Sequence, residues 1–318
     1  VIFFAYFSFL ASSLIGYFAN YKQTLLGADQ KNYVVTAYFQ TATIVKTLIQ
    51  MASAYYTGSY YLWVAIELTF GIIYSFILNW KINQVYPWLR SEVRQGKQLF
   101  KKYPEVMKYT KQLFVHKLGG VVQNQTTPFL TYAFVSLQTV AFYGNYTIIT
   151  DKLSLLISNF LESTGAGVGN LIAEGGKEKI KKVFWELLSI RFWIAGTLIF
   201  LLYELLPSFI VLWIGNEYLL SDTVLVLLLL SFFISITRGV TDQFVFGYGL
   251  FYDTWAPIAE SVIYIVIAII GGIFYGLEGI LCGGIISRFV IIGIWKPYFL
   301  FTKGFQISVW KYWGNWIK

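Results

Sequence analysis

Nine stretches of this chain are apolar and long enough to cross a bilayer, at roughly 20 residues each. They are 1–19, 33–55, 60–80, 113–135, 141–168, 187–213, 219–246, 257–276 and 279–301. A run such as VLVLLLLSFFI at 224–234 belongs in lipid. There the backbone must satisfy its own hydrogen bonds, and a helix does so within one segment. The expected fold is therefore an all-α, polytopic membrane helical bundle. Only 13% of the residues are charged, against about 25% in soluble domains. One cysteine, Cys282, and one histidine, His116, leave no internal disulfide and no Cys-based metal cluster, and argue against a zinc enzyme. No metal and no organic cofactor are expected.

The net charge of +8 is explained by topology rather than by nucleic acid. Segments 20–32, 81–117, 170–186 and 296–318 hold 19 of the 24 Lys and Arg residues. The alternate turns AYYTGSYY, SLQTVAFYG, IGNEYLLSD and YGLEG hold none. The positive-inside rule makes the first group cytoplasmic. The turn 247–256 also lies inside, although it carries no Lys or Arg. Tyr55, Tyr56, Tyr60, Tyr61 and Trp63 form an outer aromatic belt. The outer turns are too short to hold a folded catalytic domain, so no enzyme activity is expected.

The basic segment 81–112 divides the spans three and six. It reads as a cytoplasmic linker between two lobes, with apolar residues that also suit an in-plane helix on anionic lipid. Residues 1–80 then form the last three helices of an N-terminal lobe. Residues 113–302 form a six-helix C-terminal lobe, and 303–318 an interfacial tail. Two-lobe transporters pair similar bundles, so three further spans are expected before residue 1.

The other five cations, Lys46, Lys152, Arg191, Arg238 and Arg288, lie within spans. Arg191 is near enough to the inner surface to snorkel. Each of the rest costs about 2.5–3.5 kcal/mol at the bilayer centre on insertion scales. Helical spacing shows where they point. Thr36, Gln40, Thr43, Thr47 and Gln50 share one face, with Lys46 at its margin. Thr147, Asp151, Ser154, Ser158 and Glu162 share another; Ser231, Ser235, Arg238 and Asp242 a third. Hydroxyls alone suit a dry helix interface; the ions suit a water-filled cavity. Arg238 and Asp242 are spaced for an ion pair. In GGVVQNQTTPF, Gln123 and Asn124 lie with Pro128 at membrane depth, which reads either as a hinge or break facing the lumen or as a structural kink. Glu67, near an outer span end, reads as lining a vestibule or touching headgroups. Glu204, Glu260 and His116 read as structural. The candidate substrate-binding residues are Lys46, Gln50, Gln123, Asn124, Asp151, Lys152, Arg238, Asp242 and Arg288. Asp151 and Asp242 are the candidates for ion coupling.

Four stretches, YKQTLLGADQKNYV, AGVGNLIAEGGKEKIKKVFWEL, YGLFYDTWAPIAE and GLEGILCGGIISRFVIIGIWKPYFLF, resemble bacterial polysaccharide or O-antigen flippases. These belong to the multidrug, oligosaccharidyl-lipid and polysaccharide exporter superfamily. The resemblance implies a MATE-like two-lobe transporter with about nine spans present of twelve or more. It implies a multi-pass protein of the bacterial cytoplasmic (inner) membrane, working by alternating access. The implied substrate is undecaprenyl-diphosphate-linked oligosaccharide, with H+ or Na+ as coupling ion. Implied partners are membrane lipids and other polysaccharide assembly proteins, and not nucleic acid. The alternatives are a MATE-type multidrug or cation antiporter and a membrane-embedded polysaccharide polymerase or transferase.

Overall fold

The computed structural model describes residues 2–29, 31–89, 96–162 and 164–316. Five helices are long and apolar enough to cross a membrane: Ile2–Ala19, Tyr60–Val85, Lys177–Ile214, Asp222–Gly247 and Trp255–Phe305. Three other long helices, Asn32–Thr57, Pro104–Phe134 and Leu137–Glu162, carry more polar side chains and are less apolar. The chain is an all-α, membrane-embedded, multi-pass protein, and it divides into two compact units at Lys97/Gln98.

In the first unit, α4 (Tyr60–Val85) packs against both α1 (Ile2–Ala19) and α3 (Asn32–Thr57), with the short α2 (Gln23–Ala28) at one end. The last carbonyls of a helix lack partners within it. Here Asn79 donates to the Ala19 carbonyl at 2.8 Å, and Asn20 donates to Ser75 Oγ at 3.0 Å. Ser59 caps α4 by accepting from the Leu62 N–H. Leu26, Leu78, Ile82 and Tyr86 form the core of this end.

The helix α5 (Gly96–Lys102) precedes the second unit's α6 (Pro104–Phe134), α7 (Leu137–Glu162), α8 (Thr164–Glu174), α9 (Lys177–Ile214) and α10 (Asp222–Gly247). The chain continues through α11 (Trp255–Arg288), α12 (Lys296–Phe299) and α13 (Trp310–Trp316). The helix α6 starts at Pro104, so the residues expected to end the linker are its first turns. It also runs unbroken through Pro128. Thr127 and Thr131 hydroxyls donate back to the Gln123 and Thr127 carbonyls, adding bonds where proline removes one.

Central α10 touches α7, α8, α9 and α11, and α6 lies against α7 and α11. At Gly276 α11 turns back on itself; φ is 59° there, which glycine adopts without a Cβ penalty. The two arms, 255–275 and 277–288, meet closely, Gly271 against Gly279 and Ala268 against Gly283. Beyond Arg288 the second arm becomes π-helical over Phe289–Trp295 and again over Leu300–Phe305.

With 38 residues, α9 is about 57 Å long, well beyond a 30 Å hydrocarbon core. Its overhang carries Lys177, Lys179, Lys181 and Lys182. Buried Phe184, at the root of that overhang, stacks edge-on with Phe244, Phe301 and Phe305 at 5.3, 5.6 and 5.3 Å. The tail joins this core through Val309, just before α13, and Tyr312 in its first turn, while Trp310 stays exposed. Farther along α9, Trp193, Phe200, Leu205 and Leu212 all point outward. Apolar faces of this extent suit lipid rather than water.

Candidate functional site

A cavity of about 40 Å³ lies inside the second unit, with Gln123, Thr127, Tyr143, Ser231, Tyr264 and Arg288 among its walls. It has room for roughly three waters and not for a sugar ring. Four helices supply its polar groups. From α6 come Gln123 and Thr127, one turn apart; Thr127 Oγ1 meets Tyr264 Oη of α11 at 2.6 Å. The two helices α7 and α10 add Tyr143 and Ser231. Arg288 ends the second arm of α11, and its Nε donates to Gln123 Oε1 at 3.5 Å.

That long bond to a neutral amide leaves most of the guanidinium's donors unused. Among the described residues no carboxylate lies within 4 Å of Arg288. The neighbouring arginine is placed differently: Arg238 Nε donates to Asp242 Oδ2 at 2.9 Å, one helical turn along α10. The two guanidinium groups repel each other, and Glu260 attracts both. Glu260 is only 6% exposed, and its Oε1 has no hydrogen-bond partner. Two cations and two carboxylates thus share the region, with one ion pair between them.

A second cluster closes the Lys-rich end. Asp253, between α10 and α11, is 2% exposed. Its Oδ2 accepts from Lys296 Nζ at 2.8 Å and from Trp295 Nε1 at 3.2 Å. On the other side His116 Nε2 lies 3.3 Å from Oδ1 and 3.4 Å from the Phe251 carbonyl. A carbonyl only accepts, so Nε2 donates to Phe251, and Asp253 Oδ1 is left buried without a hydrogen-bond partner. Burial pushes the Asp253 carboxyl up, but His116, Lys296 and Trp295 together outweigh it and hold it below the ordinary carboxylate range.

Arg191 departs from its expected place at the membrane surface. It is 5% exposed, and its Nη1 donates to the Ile236 carbonyl of α10 at 3.1 Å. The niche exists because residue 239 is glycine: a Cβ there would fall on the Arg191 guanidinium. In the first unit Lys46 Nζ pairs with Glu67 Oε1 at 2.6 Å. Gln50, 3% exposed, donates to Glu67 Oε2 and to the Trp63 carbonyl, both at 3.1 Å. Glu67 therefore neutralises Lys46 within the bundle instead of reaching headgroups.

Of the candidate substrate-binding residues, Gln123, Arg238, Asp242 and Arg288 gather in one region. Asn124, the next residue along α6 from Gln123, is exposed. Asp151 and Lys152 are exposed on α7, and among the described residues neither forms an ion pair. Lys46 and Gln50 belong to the first unit. The Glu162 side chain lies outside the described residues. Glu260, read from the sequence as structural, is buried in the same region; the four-residue step to Tyr264 is the signal that places its carboxylate on a buried face. No such local signal marks Asp253 and Lys296, 43 residues apart.

Among the described residues no three His, Cys, Asp or Glu side chains gather to hold a metal ion. No family model, no curated protein and no solved structure matches the chain.

Proposed function

We propose that the protein is a flippase that moves an undecaprenyl-diphosphate-linked oligosaccharide across the bacterial cytoplasmic membrane by alternating access. It acts as a MATE-like transporter rather than an enzyme, in the company of other polysaccharide assembly proteins. Its movement draws on an H+ or Na+ gradient. The observation that carries this reading is Arg288: a cation in a polar cavity, with a neutral amide as its hydrogen-bond partner. A guanidinium in low dielectric binds phosphate oxygens through charge-assisted, bidentate hydrogen bonds. Arg238 adds positive potential nearby, while the Thr, Ser and Tyr hydroxyls suit hydrogen bonding to sugar.

The cavity admits a phosphate-sized group only if its walls give. The π-helical turns that begin directly after Arg288 supply backbone that can change register, as such segments do at functional sites. The test is translocation of lipid-linked oligosaccharide by the full-length protein in proteoliposomes. Arg288→Ala removes a charge-assisted contact worth about 1.5–3 kcal/mol, or a loss of roughly ten- to a hundredfold. Unchanged translocation would refute the reading.

Glu260 favours a second reading, a MATE-type cation antiporter, because a bare carboxylate oxygen suits a cationic ligand. Transport of organic cations that survives Arg288→Ala and fails in Glu260→Gln would select it.

A further inference from the structure

The two arms of α11 are fastened to each other at both ends. At one end the chain turns at Gly276, and beside the turn Gly271 meets Gly279 and Ala268 meets Gly283 at close range. At the Lys-rich end the Trp255 and Trp295 rings meet at 4.5 Å between centroids. There Asp253, just before the first arm, pairs at 2.8 Å with Lys296, just after the first π-helical stretch of the second. The cavity lies between these fastenings, with Tyr264 on the first arm and Ile280, Leu281, Gly284 and Arg288 on the second. The first arm shares a wall with α6: Thr127 Oγ1 and Tyr264 Oη lie 2.6 Å apart, and a Cβ on Gly119 would strike Pro257. At cavity depth the second arm meets this wall through the long bond from Arg288 to Gln123. From Arg288 to Lys296 its backbone is π-helical.

We propose that the entrance to the cavity is the seam between these two walls at the Lys-rich end, and that the Asp253–Lys296 pair is its latch. With the pair made, the arms are shut at both ends and the cavity is too small for a phosphate group. With the pair broken, the second arm swings from its Gly276 end, its π-helical stretch takes up the change, and Arg288 parts from Gln123 to face the opening. The positive-inside rule makes the Lys-rich end cytoplasmic, so the entrance opens toward the side from which the substrate is taken. The inference rests on the anion-site reading above for what enters, and it adds the route and the two residues that guard it.

An ion pair suits a latch that must reopen. Burying two charges costs about as much as their attraction returns, so the closed and open states lie close in free energy. An apolar seam gains from burial and recovers nothing on opening. The same reasoning fixes the sign of each substitution. Removing one partner strands the other charge in the seam, and a stranded charge favours the open, hydrated state. Removing both charges takes away the reason to open, because the apolar replacement prefers to stay buried.

The experiment is thiol labelling of the full-length protein from each face of the membrane. With other thiols removed, Cys282 included, Ser231→Cys places one thiol in the cavity wall. The probe is a membrane-impermeant methanethiosulfonate bearing a sulfonate, too large for a cavity of about 40 Å³. With the pair intact, labelling is expected to be slow and to come from the Lys-rich face. Asp253→Asn is expected to speed labelling from that face by at least about tenfold. Asp253→Asn with Lys296→Met is expected to return it to the starting rate or below. Unchanged labelling in Asp253→Asn overturns the latch, as does labelling that quickens equally from both faces, which marks a loosened bundle. If Asp253→Asn does not fold, the double variant decides, and labelling faster than with the pair intact overturns the latch. Labelling confined to the opposite face, with the pair intact, overturns the entrance itself. None of these readouts uses the substrate, so their failure leaves the anion site standing. Anion affinity unaffected by Arg288→Ala would remove the anion site and leave the entrance.

Discussion

The second unit contains two charge clusters with opposite economies of contact. Around Asp253 the charge is compensated at short range: Lys296 and Trp295 donate to one oxygen, and His116 lies 3.3 Å from the other, which accepts no hydrogen bond. Around Arg288 the contacts are sparse. Arg288 has one long bond to an amide in the cavity wall, and among the described residues no carboxylate comes within ion-pair distance of it. The Asp253 cluster neutralises its buried carboxylate with Lys296 and fastens the α10–α11 turn to α6 and α12. Arg288 keeps donors free without a counter-ion, at a cost in stability that a bound anion would offset.

The largest effect should come from breaking the buried ion pair of Asp253 and Lys296. Asp253→Ala leaves Lys296 buried without its counter-ion, and loss of one partner of such a pair costs about 3–5 kcal/mol. Thermal unfolding in detergent should show a large drop in midpoint, with Lys296→Met, which removes the stranded charge, restoring part of it in the double variant. In the same assay Arg288→Ala should melt close to the wild type, while its anion affinity falls. If the two variants melt alike, the contrast between the clusters is wrong.

Gly239→Ala comes next. The added methyl overlaps the Arg191 guanidinium, and overpacking of this kind costs about 1–3 kcal/mol. The melting midpoint should fall without a change in anion affinity.

Acid supplies a gentler probe. Because the folded Asp253 pKa lies below its ordinary value, its contribution to stability is full above the unfolded pKa. That contribution is lost as pH falls through the folded pKa, below the usual carboxylate range. Asp253→Asn should flatten the wild-type decline in stability over that acid window. The smallest effect belongs to Lys31→Ala, which breaks an exposed pair with Asp29 at 2.7 Å. Both side chains are close to half exposed, so no measurable shift in melting is expected.

Much of the architecture was legible from local pattern. The length of apolar runs marked the membrane helices, and the four-residue step from Arg238 to Asp242 became a 2.9 Å ion pair. Both depend only on neighbours within one helix. Convergence between helices was not legible. His116, Asp253 and Lys296 come from α6, a turn and α12, and nothing in their local sequence announces the meeting. Arg191 was misplaced for a related reason: its side chain can reach the surface, but the gap at Gly239 on another helix offers a buried carbonyl instead. Asp151 and Lys152 show the converse. The spacing puts Asp151 on a polar face with Thr147, Ser154 and Ser158, yet those three are half-buried while Asp151 and the adjacent Lys152 are exposed.

The account depends on an open arginine at position 288 that receives a phosphate group. Equilibrium binding of undecaprenyl-diphosphate-linked oligosaccharide to the full-length wild type, Arg288→Lys and Arg288→Ala tests this most directly. The account predicts affinity reduced by roughly ten- to a hundredfold in Arg288→Ala, with part of it retained in Arg288→Lys and melting midpoints unchanged. Equal affinity in all three proteins would contradict it.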